Sequence, residues 1–158
     1  MMPEQAPNML SEALALAAAG YHVLPCHWPR VTGPAPECSC SAGAACSSIG
    51  KHPLTQHGSL DATTDPEIIA AWWKHRPLAN IGIRTGVDGL LVVDIDHDKG
   101  GSTASLGLPD TLRAVTGSGE HHYLVGDGQR VPNSTSVLSP GVDVRGEGGY
   151  VVAPPSLH

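Results

Sequence analysis

The sequence predicts an α+β fold, with helices confined to the first half and a sheet built from the second. Two observations carry this: a run of strong helix formers at residues 9–19 and a capped apolar helix after Asp65 lie early, and from residue 80 onward short β-branched runs alternate with glycine-bearing turns. The 19 glycines and 14 prolines in 158 residues are far above ordinary usage, so turns must be frequent and strands short. With 41% hydrophobic residues the chain can bury one core, and a single domain over residues 1–158 is the expectation.

In chain order, MLSEALALAAA forms an opening helix, and Gly20 stands where a left-handed terminator belongs. YHVLPCHW reads as a short strand. The following PRVTGPAPECSCSAGAACSSIG shows no period and needs something other than burial to organise it. Asp65 is an N-cap followed by Pro66 at the first helical position; the helix carries Ile68, Ile69, Trp72 and Trp73 and stops before Pro77. The pieces NIGIRTG, GLLVVDID, TLRAVTG, HHYLV, GVDVRG and GYVVAP then read as strands, with a short helix expected over residues 102–108.

Composition excludes several functions. The longest apolar stretch, residues 13–20, is far below the ~20 residues that cross a bilayer, so no membrane partner is expected. No Lys or Arg precedes Arg30, which argues against an export signal and for a cytoplasmic protein. The formal charge of -6 opposes strong DNA affinity from this chain alone. With no Phe, three Trp and three Tyr, a base-stacking platform has few candidates.

All four cysteines fall between residues 26 and 46, three of them as Cys38-x-Cys40-x5-Cys46, with His52 just beyond. Zinc takes four tetrahedral nitrogen or sulfur ligands and would supply the cross-link that a Gly/Ser-rich loop lacks. The reading is a structural Zn²⁺ loop over residues 26–52 held by Cys38, Cys40 and Cys46, with His27 or His52 as the fourth ligand and Cys26 a core thiol. Disulfides, which need an oxidising compartment, and free thiols are the alternatives.

In LLVVDID, strand alternation puts Asp94 and Asp96 on one face, with Val93 and Ile95 on the other. Neighbouring carboxylates repel, and a divalent cation relieves them. Asp143, in GVDVRG, is a third acid on a strand; three carboxylates from two strands could hold two Mg²⁺ or Mn²⁺ ions for phosphoryl or nucleotidyl transfer. The plain alternative is that Asp-x-Asp closes a strand in a solvated turn, as Asp98 does in Asp-Lys-Gly-Gly. TGSGEHHY, a small-residue turn leading into a histidine-bearing strand, is a candidate triphosphate cradle, though Gly-Ser-Gly alone marks only a hairpin.

Taken in order, LLVVDID, SGEHH, DVRGEGGYVVAPPS and the earlier GKHP make the chain similar to the primase-polymerase domain of the archaeo-eukaryotic primase superfamily, found in phage and plasmid replication proteins. The resemblance implies an RRM-like catalytic sheet packed with a helical, zinc-bearing N-terminal part. It implies template-directed nucleotidyl transfer, as primer synthesis or DNA polymerisation, with Asp94, Asp96 and Asp143 as metal-binding acids and His122 on the phosphates of the nucleoside triphosphate. Ser118 and Gly119 would shape that pocket, and Arg145 and Lys51 would meet phosphates. A DNA template and a helicase domain or subunit are the partners implied. Glu120 departs from the family's second glycine, and the family's further strand and helix beyond Pro-Pro-Ser lead us to expect a domain truncated at its C-terminal end. The competing readings are a metal-dependent nuclease or phosphodiesterase and a catalytically silent zinc-stapled replication module.

Overall fold

The computed structural model describes residues 6–158. Two helices, α1 (Met9–Ala18) and α2 (Pro66–His75), accompany ten strands: β1 (Val23–Cys26), β2 (Pro29–Arg30), β3 (Glu37–Cys38), β4 (Asn80–Arg84), β5 (Leu90–Asp96), β6 (Arg113–Val115), β7 (Gly119–Val125), β8 (Ser134–Ser139), β9 (Val142–Arg145) and β10 (Tyr150–Ala153). The mixture of few helices with antiparallel sheets is the α+β class the sequence predicts. No helix among the described residues is long and apolar enough to cross a membrane. The chain divides into two compact units, one running to Ile83 and including Val152–His158, the other spanning Arg84–Val151.

In the first unit, the Asn8 side chain accepts the Ser11 N–H at 3.2 Å and starts α1. At the other end Gly20 takes φ 98°, so its N–H reaches the Ala17 carbonyl at 3.0 Å and Tyr21 N–H reaches Leu16 at 3.1 Å, closing the last turn. Asp65 accepts the Glu67 N–H at 2.9 Å and Pro66 opens α2, as the sequence predicts. Ile69 and Trp73 are buried on this helix, and the Trp73 indole N–H donates to the Ala79 carbonyl at 3.0 Å. The sheet here has the order β1-β4-β10. Pro25 lacks an N–H and sits on the edge strand β1, whose outer side is bonded by residues 52–54 and 63 instead of a full strand. That edge brings His52 beside His27, with His27 N–H donating to the His52 carbonyl at 2.8 Å.

The second unit holds a five-stranded sheet of order β6-β7-β5-β9-β8, antiparallel at every pairing. Val93, Ile95 and Val142 form a core on one face, with Leu106, Leu108 and Leu124 packed against it. The expected helix over residues 102–108 is absent; the segment is a turn that delivers its leucines to this core. Gly101, Gly107 and Pro109 leave too short an uninterrupted stretch to repay helix nucleation. Strand β8, STSVLS, has no counterpart in the sequence reading. Its Val137 and Leu138 are exposed and its pairing with β9 is broken by a bulge, so it lacks the half-buried alternation that marks a strand.

Candidate metal and nucleotide sites

In the first unit the paired β2 and β3 turn the chain back on itself, and a short helical turn at Gly43–Ala45 brings Cys46 round to Cys38. Ligand atoms of Cys38, Cys40, Cys46 and His52 all lie within 4.8 Å of one another and form a candidate zinc-binding site. His52 Nε2 is 3.3 Å from Cys38 Sγ and 3.5 Å from Cys46 Sγ. Those separations are close to the edge of a tetrahedron with ordinary zinc bond lengths, about 3.6 Å. Three soft sulfurs and one imidazole nitrogen also suit zinc chemically.

Of the two candidate fourth ligands, the structure brings His52 to the thiols. His27 Nδ1 bonds Ser39 Oγ at 2.8 Å, and its ring lies against that of His52 with centroids 4.3 Å apart. Burial, reinforced by His52 and Arg76, pushes the His27 pKa down. Burial pushes the Cys26 thiol up to about 12, in keeping with a core thiol, and no cysteine is paired in a disulfide. Burial opposes ionisation of Cys38, yet the Gly50 and Cys40 N–H groups, the Cys40 side chain and His52 bring it down to about 6. The Ser48 N–H favours a thiolate at Cys46, but desolvation and the neighbouring Cys38 and Cys40 push that thiol up.

In the second unit the sheet register does the gathering. Asp94 on β5 faces Asp143 on β9 and His121 on β7, so one row across three strands carries two carboxylates and an imidazole on one face. His121 Nε2 stands 3.4 Å from Asp94 Oδ1. Arg145, two residues beyond Asp143 and on the same face, places Nη2 2.9 Å from Asp143 Oδ2 and 3.7 Å from Asp94 Oδ2. The remaining Asp143 oxygen accepts the Ser136 N–H at 3.1 Å. Ser136 belongs to the β8 bulge and has φ 52°, an uncommon conformation for a non-glycine residue.

Asp96 shares the face by alternation, but its carboxylate accepts the Asp98 N–H at 3.1 Å and stands 3.5 Å from Lys99 Nζ. It caps the turn that follows β5. Opposite it, Gly119 runs so close to β5 that a Cβ would strike the Ile95 carbonyl oxygen, which explains the glycine of SGEHH. Ser118 lies in the β6–β7 turn and its carbonyl accepts the His97 N–H at 2.8 Å. Lys51 belongs to the first unit, in an exposed turn after Gly50.

The register separates the two histidines. His122 faces Val93 and not Asp94, so it lies on the sheet face opposite the acids, and His121 is the histidine beside them. The HH pair offers no clue to this by itself, because the choice depends on how β7 pairs with β5. His122 Nε2 is 3.1 Å from Glu120 Oε1 on that opposite face. The bond to His122 holds the Glu120 carboxyl below its usual range against the effect of burial, helped by Arg113 and His97. Glu120, the departure from the family's glycine, is thereby turned away from Asp94 and Asp143.

Comparison with known proteins agrees with this order of parts. The family model for the N-terminal domain of bifunctional DNA primase/polymerase matches residues 13–158. Among curated proteins no match is found. A match over nearly the whole chain shows that this protein belongs to the Prim-Pol family, whose activity is that of a DNA primase and polymerase in replication.

Proposed function

We propose that the chain carries out template-directed nucleotidyl transfer at the face of its five-stranded sheet that bears Asp94, Asp143 and His121. The observation that carries this is the shared register of those three residues, which sets two hard oxygen donors and an imidazole side by side on rigid strands. Oxygen donors in that number suit Mg²⁺ or Mn²⁺, and Asp96 on the same face is the third acid available. Bound there, two such ions would supply Lewis-acid stabilisation of the primer hydroxyl and of the departing pyrophosphate.

The protein's own groups do the positioning. Asp94 and Asp143 fix where positive charge collects, and Ser136 holds Asp143 through its backbone N–H. His121 is largely buried, with Nε2 3.4 Å from Asp94 Oδ1, so it stands on the acids' face, where it would meet a phosphate bound there. The role expected of His122 is therefore assigned to His121. Ser118 and Gly119 shape the turn that enters β7, and Arg145 adds a guanidinium for phosphate charge. In the first unit, Cys38, Cys40, Cys46 and His52 hold a structural Zn²⁺ that orders the loop, and Lys51, directly before His52, offers a cation for phosphate. A helicase partner would add the DNA affinity that a chain of net charge -6 lacks.

Primer synthesis and extension with labelled nucleotides tests the reading. Asp94→Asn should abolish Mg²⁺- or Mn²⁺-dependent incorporation while the protein keeps its fold. Near-native incorporation by a folded Asp94→Asn variant would overturn it. Metal-dependent cleavage of the template without nucleotide incorporation would instead identify a nuclease.

A further inference from the structure

The two carboxylate oxygens that converge, Oδ2 of Asp94 and Oδ2 of Asp143, converge on one nitrogen, Arg145 Nη2, at 3.7 and 2.9 Å. The other oxygen of each acid is otherwise engaged, Asp94 Oδ1 with His121 Nε2 and Asp143 Oδ1 with the Ser136 N–H. So the guanidinium stands at the position from which a single positive group reaches both acids. The side chain is one-third exposed.

We propose that Arg145 is an internal counter-ion that competes with the divalent cation for Asp94 and Asp143, so that cation binding requires, and drives, release of the guanidinium. This rests on the proposed function, in which those acids hold the cation. A divalent cation held by Asp94 and Asp143 would draw on the carboxylate oxygens that the guanidinium now meets, so the two positive groups would compete for them. Like charges at such range also repel strongly where water is partly excluded. Arg145 therefore neutralises the acid pair before the cation arrives, sets a ceiling on cation affinity, and is freed on the same sheet face when the cation binds. A freed guanidinium fork matches phosphate oxygens bidentately, so cation and nucleoside triphosphate should each raise the other's affinity by the same factor.

The test is a titration of the full, zinc-loaded chain with Mn²⁺, free ion being read by electron paramagnetic resonance. Arg145→Gln should bind Mn²⁺ more tightly than the native protein by at least about fivefold, whereas Asp94→Asn should bind it more weakly. If Asp94→Asn weakens binding and folded Arg145→Gln binds no more tightly than the native protein, the competition is wrong and the acid site stands. If Asp94→Asn binds Mn²⁺ as the native protein does, the acid site falls and the competition with it. Should Arg145→Gln fail to fold, the native protein decides the matter: saturating Mg²⁺ should shift the Arg145 Nε–H resonance in a ¹⁵N-labelled sample, and an unmoved resonance overturns the proposal.

Discussion

The thiol cluster and the acidic row gather their side chains by opposite means. Cys38, Cys40, Cys46 and His52 come from a loop of two-residue strands and turns, where Cys38 is buried but Gly43–Ala45 buries nothing. Asp94, Asp143 and His121 come from three paired strands whose neighbours Val92, Val93, Ile95 and Val142 are buried in the second unit's sheet. Ligands on a loop have little besides the ion to hold them, whereas side chains on a ladder are placed by backbone hydrogen bonds and apolar packing that exist without any ion. The first cluster should therefore act mainly on stability and the second mainly on chemistry.

The largest effect expected splits the two regions cleanly. Asp94→Asn should lower nucleotide incorporation by more than about a hundredfold, since even outer partners of a metal site cost tenfold to a hundredfold when lost. It should leave the thermal unfolding temperature nearly unchanged. Cys40→Ser, or chelation of zinc, should do the reverse in kind: the first unit should lose on the order of 10 °C in its midpoint, because structural zinc contributes folding free energy outright. Apo and zinc-loaded protein that melt together would make the loop a passive insertion.

A smaller effect sharpens the register. His121→Ala should weaken binding of a nonhydrolysable nucleoside triphosphate by about tenfold, the worth of one or two charge-assisted hydrogen bonds, and His122→Ala should do less. A larger loss at His122 would mean that the nucleotide binds on the Glu120 face.

The smallest effect is the pH response of the chelated protein. Cys38 in the folded state ionises at about 6, below the ordinary thiol range, so its contribution to stability is full above that range and is lost as pH falls through about 6. The lowered His27 pKa acts in the same direction, because acid must charge a ring the fold prefers neutral, while the raised Cys46 opposes them only toward alkaline pH. Melting of the chelated first unit should therefore move upward between about pH 6 and pH 8. Cys38→Ser should flatten that rise, and an unchanged slope would remove Cys38 as its source.

Much of this was legible in the chain itself. The caps at Asp65 and Gly20, the Asp94 and Asp96 alternation and the spacing of Cys38, Cys40 and Cys46 are local signals, each set by residues a few positions apart. The choice of His52 over His27 was not legible, because both are within reach along the chain and only the bonding of β1 to residues 52–54 separates them. The same holds for His121, whose face depends on the pairing Asp94↔His121 across 26 intervening positions of chain. Ser136 gave no signal at all, since its part comes from a backbone N–H in a bulge of an exposed strand.

Hard cations and nucleotide should meet at Asp94, Asp143 and His121 while zinc stays with the thiols. Anomalous diffraction from a crystal soaked with Mn²⁺ and a nonhydrolysable nucleoside triphosphate, recorded about the manganese and zinc edges, tests it most directly. Manganese should be bound by the Asp94 and Asp143 carboxylates, with phosphates on the His121 side of the sheet and zinc among Cys38, Cys40, Cys46 and His52. Manganese bound elsewhere, or phosphates on the face of His122 and Glu120, would contradict it.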